Sequence, residues 1–179
     1  MSDNKRDTIE LLLWNELVHA KYWEQYISQY IGYKKDWRKG FSIATIVLSV
    51  IGASSWKLWS LPAIGEWSTM IIFGLVAICQ LLSSIQKEVV IDNDTFQSLI
   101  KLRALYIAYF NKLEHLFIDN ENELAQDIVE ERYFSLRETV YPMEELKDSI
   151  NIPELKNVKE KGEKEVIKYL HTRYGISRE

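Results

Sequence analysis

The chain has 179 residues, a formal net charge of −4 at pH 7 and a single cysteine. Its length allows one domain of ordinary size, its charge gives no support for nucleic-acid binding by bulk electrostatics, and one cysteine excludes an internal disulfide framework. Seven Gly and three Pro are few, which favours long helices over a fold with many turns.

The first predicted element is a long amphipathic helix within residues 1–40. Asp7 and Glu10 have the spacing of a capping box, and apolar residues recur after them every three or four positions as far as Ile31. A basic stretch follows, which would favour anionic lipid head groups. Its basic residues are Lys34, Lys35, Arg38 and Lys39.

Two apolar blocks then predict a transmembrane helical hairpin over 41–86, with spans at 41–61 and 67–85. Each block is long enough to cross a hydrocarbon layer of roughly 30 Å at 1.5 Å per residue. Basic residues flank the first span on its N-terminal side, so the positive-inside tendency places both chain ends in the cytoplasm. The sequence therefore predicts an all-α, multi-pass membrane protein with long cytoplasmic helices.

Small and polar residues form a stripe on the first span, and an amide lies in the second. Such residues let helices approach closely, or they line a water-filled path. The two readings, helix packing and pore lining, have about equal weight on sequence alone. The candidate residues are Ser42, Thr45, Ser49, Ala53 and Gln80.

The C-terminal region, 87–179, is predicted to be cytoplasmic and helical. Residues from Phe96 to Phe117 recur as a coiled-coil-like seam that one basic residue, Arg103, interrupts. We expect Arg103 to pair with another helix or to bind a small anionic ligand. An acidic segment follows at 119–148, and a last helix is predicted to end near Gly175.

The residue types that carry catalysis are sparse. His19, His115 and His171 lie on three different predicted helices, and Glu16 with His19 forms only a single Glu-x-x-His motif. Carboxylate metal centres need that motif twice. No phosphate-binding glycine loop or serine nucleophile elbow occurs in the sequence. We therefore expect no enzyme activity, no metal and no cofactor.

The order of these parts resembles the SLATT proteins, two-transmembrane effectors associated with SMODS nucleotidyltransferases and SLOG nucleotide-binding domains. The resemblance covers about residues 5–118 and rests on this layout and on the blocks WRKGFSIATIVLSVIGA and STMIIFGLVAICQLL. It implies an oligomeric effector of antiphage defence that permeabilises the inner membrane in abortive infection. A nucleotide signal or a neighbouring defence protein would be the trigger.

The predicted partners are thus the lipid bilayer, further copies of the chain and such a trigger, with no direct nucleic acid. Two alternatives remain open beside the pore-forming effector. One is a membrane-anchored scaffold or adaptor without pore activity, and the other is a small ion-channel subunit.

Overall fold

The computed structural model describes residues 2–54, 74–78, 80–81, 92–121 and 125–175, with their side chains except at 2–6, 51–54 and 121. The described part of the chain contains no strand, so the predicted all-α class is confirmed for these residues. Residues 74–78 and 80–81 are helical. The helices with defined bounds are α1 (Ser2–Ser54), α2 (Asn93–Glu121), α3 (Gln126–Glu138), α4 (Tyr141–Ile150) and α5 (Lys156–Tyr174).

The chain divides into two compact units. Unit one comprises residues 1–31 and 93–179, and unit two comprises residues 32–92. Helix α1 runs through the boundary at residue 31, so it contributes to both units. The predicted domain boundaries at 40 and 86 fall within unit two.

Unit one is built around the apolar faces of α1 and α2. The predicted amphipathic pattern of α1 and the predicted seam of α2 supply most of the buried side chains, because residues three or four apart share one face of a helix. The ring of Trp23 on α1 stacks on the ring of Tyr106 on α2, with centroids 6.3 Å apart. The buried apolar residues of these two helices within unit one are Ile9, Leu13, Leu17, Ala20, Tyr26, Ile27, Tyr30, Leu99, Leu102, Tyr106, Tyr109, Phe110, Leu113, Leu116 and Phe117.

Helices α3, α4 and α5 add one or more buried residues each, including Val129, Met143 and Val158. Helix α5 ends where the sequence predicted. Gly175 adopts a left-handed conformation (φ 68°) and donates its backbone N–H to the carbonyl of His171, a stop that glycine favours because it has no Cβ.

Helix α5 and helix α1 approach each other closely at Gly162. A Cβ atom added at Gly162 would lie 3.4 Å from the backbone N and Cα of Tyr26. The Tyr26 ring also holds the connection before α5, since its hydroxyl donates to the carbonyl oxygen of Pro153 (2.6 Å) and accepts from the backbone N–H of Leu155 (3.0 Å). Tyr26 is 1% exposed, so α1, α5 and their connection are fixed together at this position.

Replacing Tyr26 by Phe is expected to lower the free energy of unfolding by about 1–3 kcal/mol. The ring packing is kept, but two partly buried hydrogen bonds, to the Pro153 carbonyl and from the Leu155 N–H, are lost, and each typical hydrogen bond contributes about 0.5–1.5 kcal/mol. Urea denaturation followed by circular dichroism measures the change. Tyr141→Phe is the matched control, because Tyr141 is 77% exposed and its replacement should change stability by less than about 0.5 kcal/mol.

The prediction of a transmembrane hairpin with spans at 41–61 and 67–85 is wrong for the residues that the structure describes. Among them, no helix combines the length and the apolar character that a membrane crossing requires. The last 18 residues of α1, 37–54, include the charged residues Arg38 and Lys39. Within the described part of α1, the uncharged residues from Phe41 to Ser54 cover about 21 Å, less than the roughly 30 Å of a hydrocarbon layer.

The predicted multi-pass inner-membrane localisation, with both termini cytoplasmic, depended on that hairpin and is corrected with it. Part of the prediction lies outside the described residues. These are positions 55–61 of the first predicted span, the connector, and all of the second span except 74–78 and 80–81.

Candidate functional site

The described part of unit two exposes large apolar side chains at Val76, Ile78 and Leu81 and, as a run on α1, between Ile43 and Val50. Four β-branched side chains, Ile43, Ile46, Val47 and Val50, are 62%, 61%, 50% and 61% exposed. Their spacing of three, four and seven residues places them on one face of the helix. We call these four residues the apolar face of α1. Contiguous exposed apolar surface commonly marks an interaction site.

Two hydroxyl groups beside the apolar face bond to the helix itself. Thr45 Oγ1 donates to the carbonyl oxygen of Phe41 (2.9 Å), and Ser49 Oγ donates to the carbonyl oxygen of Thr45 (2.8 Å). This is the usual way in which Thr and Ser satisfy their hydroxyls within a helix. The hydroxyls therefore need no water and no partner residue, which permits close packing of another helix.

The other predicted stripe residues are distributed as follows. Ser42 and Gln80 are exposed and helical. Ala53 is helical, but its side chain lies outside the described residues. A common path lined by Gln80 and the α1 stripe stays a prediction, as does the choice between pore lining and packing.

The basic residues that precede the apolar face lie on α1. Lys35, Arg38 and Lys39 are exposed, and Lys34 is half-buried, so that burial lowers the pKa of its amino group. The rings of Tyr33, Trp37 and Phe41 form a chain of contacts along the same helix, with centroids 6.2 and 5.7 Å apart. The role of the four basic residues at an anionic membrane surface stays a prediction.

Two charged residues on the buried face of α1 were not predicted. Lys21 and Glu24 form an ion pair of 2.7 Å between Nζ and Oε2, with side chains 11% and 9% exposed. The Lys21 amino group also lies over the rings of Phe110 (4.7 Å) and Tyr169 (4.1 Å). The sequence does carry a signal for this pair, because positions 21 and 24 fall beside Leu17 and Ala20 on the apolar face of the helix.

A second unpredicted cluster joins α2 to the end of α5. Glu114 Oε1 accepts hydrogen bonds from the hydroxyls of Tyr169 and Tyr174 (3.0 Å each) and from Arg173 Nε (3.1 Å). Burial would raise the pKa of Glu114, but these hydrogen bonds outweigh it, and the pKa is lowered. Burial of the Tyr169 hydroxyl and its hydrogen bond to Glu114 raise the pKa of Tyr169 to about 12.

The Glu16 and His19 motif is used in packing. Glu16 Oε1 accepts from the Tyr109 hydroxyl (3.0 Å), and His19 Nε2 accepts from Trp23 Nε1 (3.0 Å). Within the ranges that the structure describes, no group of three or more His, Cys, Asp or Glu residues could hold a metal ion.

Two half-open cavities have linings that lie within the described part of unit one. The first, about 560 Å³, lies between α1 and α5 and is lined by Trp14, Val18, Tyr22, Val166 and Leu170 among others. The second, about 460 Å³, is lined by residues of α1, α3 and α4 and of the α3–α4 connection.

Arg103, the predicted anion-binding residue, lines neither cavity. Its side chain is half-buried on α2, and its Nε is buried with no hydrogen-bond partner among the described residues. Its predicted ligand-binding role stays a prediction.

No family model, no curated protein and no solved structure matches this chain. The resemblance to SLATT proteins therefore stays a prediction.

Proposed function

We propose that this chain is a self-associating helical scaffold, in which copies pair through the apolar face of α1. The observation that carries this proposal is the exposure of Ile43, Ile46, Val47 and Val50 along one side of a continuous helix. A second copy supplies the same uncharged surface, so the two faces are complementary in chemistry.

The spacing of the four residues supports helix–helix pairing. Side chains at i, i+3, i+4 and i+7 form the seam that a partner helix contacts in coiled coils. No charged residue interrupts the sequence from Phe41 to Ser54. The hydroxyls of Thr45 and Ser49 are already bonded to the helix, so burying them leaves no unsatisfied donor.

The charges next to the apolar face favour an antiparallel pair. Residues 34–39 carry four basic side chains and one acidic side chain. In a parallel pair these two basic stretches would lie side by side and repel each other, whereas an antiparallel pair places them at opposite ends.

The effector role in antiphage defence rests on the SLATT resemblance and stays a prediction, as does a nucleotide signal or a defence protein as trigger. Permeabilisation would need membrane-crossing helices, and none occurs in the described residues. It is not part of the proposal. Scaffolding by self-association keeps the oligomer that was predicted and requires only the surface described above.

Replacing Ile46 by Glu is expected to weaken self-association at least about tenfold. A charge placed in an apolar seam must be desolvated without a partner, and a loss of only 1.4 kcal/mol already gives a tenfold change in the association constant. Sedimentation equilibrium of the full chain over a concentration series measures the association constant directly.

Leu11→Glu is the matched control, because Leu11 lies on the same helix and is 61% exposed, like Ile46. It should associate as the wild-type chain does. A wild-type chain that remains monomeric across the series would contradict the proposal. Equal weakening by Ile46→Glu and Leu11→Glu would also contradict it, since the effect would then not belong to the apolar face.

A further inference from the structure

The cavity between α1 and α5 has the size and the lining of a small-molecule site. Its volume is about 560 Å³, and ligand pockets of proteins commonly measure about 300–1,000 Å³. Aliphatic side chains of both helices form its walls, namely Val18 of α1 and Val166, Ile167 and Leu170 of α5. Such pockets are mostly apolar and carry a few polar groups that orient the ligand, so the polar groups of this cavity define what it can bind.

Two aromatic rings of α1 also line the cavity, and other rings hold both of them in place. The Trp14 ring contacts the rings of Phe117 and Tyr174, with centroids 5.7 and 5.3 Å apart. The Tyr22 ring contacts the ring of Tyr26, with centroids 6.0 Å apart. Positions 14 and 22 are about 12 Å apart along the helix axis. The two rings are therefore ordered before a ligand arrives, which lowers the cost of binding.

Glu163 is the charged side chain among the described residues that line the cavity. The imidazole of His19, which also lines it, accepts a hydrogen bond at Nε2 from Trp23 (3.0 Å) and so carries no positive charge in this arrangement. No salt bridge between residues that the structure describes involves Glu163. Burial and, after it, the negative charge of Glu163 raise the pKa of the Tyr22 hydroxyl. The cavity thus has an unneutralised negative charge close to an aromatic ring.

We propose that this cavity binds a small organic cation, with an apolar ring system as its body and a single amino group. The body lies between the aliphatic walls and contacts the Trp14 ring, and the amino group lies between the Tyr22 ring and the Glu163 carboxylate. Aromatic faces attract such cations, and a carboxylate adds a charge-assisted hydrogen bond. The cavity belongs to unit one and the apolar face of α1 to unit two, so the proposal does not depend on self-association.

The test measures the binding of matched naphthalene compounds to the full chain by equilibrium dialysis at neutral pH, with naphthalene absorbance as the readout. Naphthylmethylamine is positively charged, naphthalenemethanol has nearly the same shape without the charge, and naphthoate is negatively charged. We expect the amine to bind at least about tenfold more tightly than the alcohol. Naphthoate should show no binding up to about 1 mM.

Glu163→Gln should remove the preference for the cation. We expect the amine to bind at least about tenfold more weakly and the alcohol to change by less than about twofold. Glu163 is exposed, so folding should be retained. Glu165→Gln is the matched control, because Glu165 is an exposed carboxylate of the same helix that does not line the cavity. Equal weakening by the two variants would show diffuse attraction and overturn the site.

Ile167→Trp should fill the cavity and weaken the binding of both the amine and the alcohol at least about tenfold. Its matched control is Ile128→Trp on α3, because Ile167 and Ile128 are 40% and 39% exposed. Ile128→Trp should bind both compounds as the wild-type chain does. Binding of the amine that persists in Ile167→Trp would place the compound outside the cavity and overturn the proposal.

Three results with the wild-type chain would also overturn it. Equal binding of the amine and the alcohol would show an apolar site without a preference for charge. Displacement of the amine by an equal concentration of methylammonium would show that the carboxylate alone binds it. An amine that does not bind up to about 1 mM would show that the cavity is not a site for this class of ligand.

Discussion

Replacing Lys21 by Met is expected to lower the free energy of unfolding by about 3–5 kcal/mol. The Met side chain keeps the apolar stem against Phe110 and Tyr169 but removes the charge that Glu24 faces at 2.7 Å. Glu24 is then a buried carboxylate whose remaining described contact is a 3.4 Å hydrogen bond from Gln25. Removing one partner of a buried ion pair costs this much because the other charge stays desolvated and uncompensated.

The reverse substitution, Glu24→Gln, should cost less, about 1–3 kcal/mol. The Lys21 ammonium keeps the faces of two aromatic rings, and cation–π contacts are worth about 0.5–2 kcal/mol where water is partly excluded. The double variant Lys21→Met, Glu24→Leu should recover most of the loss, since replacing a buried pair by apolar residues is often close to neutral.

Guanidinium denaturation of the three variants measures this order of stability. The expected ranking of destabilisation is Lys21→Met, then Glu24→Gln, then the double variant. If Lys21→Met lowers the free energy of unfolding by less than about 1 kcal/mol, Lys21 and Glu24 do not form a buried, coupled ion pair. A double variant Lys21→Met, Glu24→Leu that recovers none of the loss of Lys21→Met would also contradict the pair, because removing the second charge of a coupled buried pair relieves the penalty left by removing the first.

The parts of the fold that repeat locally were predictable. The seam of α2 was visible as residues three or four apart, and Leu99, Tyr106, Phe110 and Leu113 are buried in the structure. The end of α5 at Gly175 was visible because glycine accepts a left-handed conformation. Both features depend only on residues close together in sequence.

The contacts between distant residues were not predictable in the same way. Tyr109 and Glu16 are 93 positions apart, and Glu114 meets Tyr174 across 60 positions. No periodicity pairs such residues, because the pairing follows from how α1, α2 and α5 pack. The membrane prediction failed for a different reason. It relied on the apolar composition of 41–61 and 67–85 alone, whereas no helix among the described residues has the length and apolar character of a membrane span.

The apolar face of α1 is another feature that depends on packing and was not predicted from the sequence. The sequence pattern indicates Thr45 and Ser49 because small polar residues interrupt an apolar block there. In the structure Thr45 is half-buried and Ser49 is exposed, both hydroxyls are bonded to the helix, and the exposed large apolar side chains beside them are Ile43, Ile46, Val47 and Val50. Exposure is a property of packing, so an apolar residue that faces solvent cannot be recognised from its letter alone.

Raising the pH above 10 is expected to unfold unit one cooperatively as its tyrosines ionise. Burial raises the pKa of seven tyrosines above 10, and hydrogen bonds to carboxylates add to the effect at Tyr106, Tyr109, Tyr169 and Tyr174. The other three are Tyr22, Tyr26 and Tyr133.

The sign of the effect follows from the direction of these pKa shifts. The folded state holds the phenolic protons more tightly than the unfolded state, so the contribution to stability is complete below pH 10. It is lost as the pH rises through the raised pKa values, of which that of Tyr169 is about 12. For each tyrosine that is protonated in the folded state and ionised in the unfolded state, the free energy of unfolding falls by about 1.4 kcal/mol per pH unit. The total free energy of unfolding of a typical domain is only about 5–15 kcal/mol.

Two signals recorded together test this prediction, the phenolate absorbance at 295 nm and the helical circular dichroism at 222 nm. We expect a steep late phase of phenolate formation between pH 10 and about 12 that coincides with the loss of helix. Tyr141→Phe, which removes an exposed hydroxyl, should leave the midpoint of the helix transition unchanged. Phenolate formation that is complete near pH 10 while the helical signal persists would show that these tyrosines are not held by burial and by Glu16, Glu114 and Glu144. In that case the contacts that join α2 to α1, α4 and α5 would be weaker than their distances indicate.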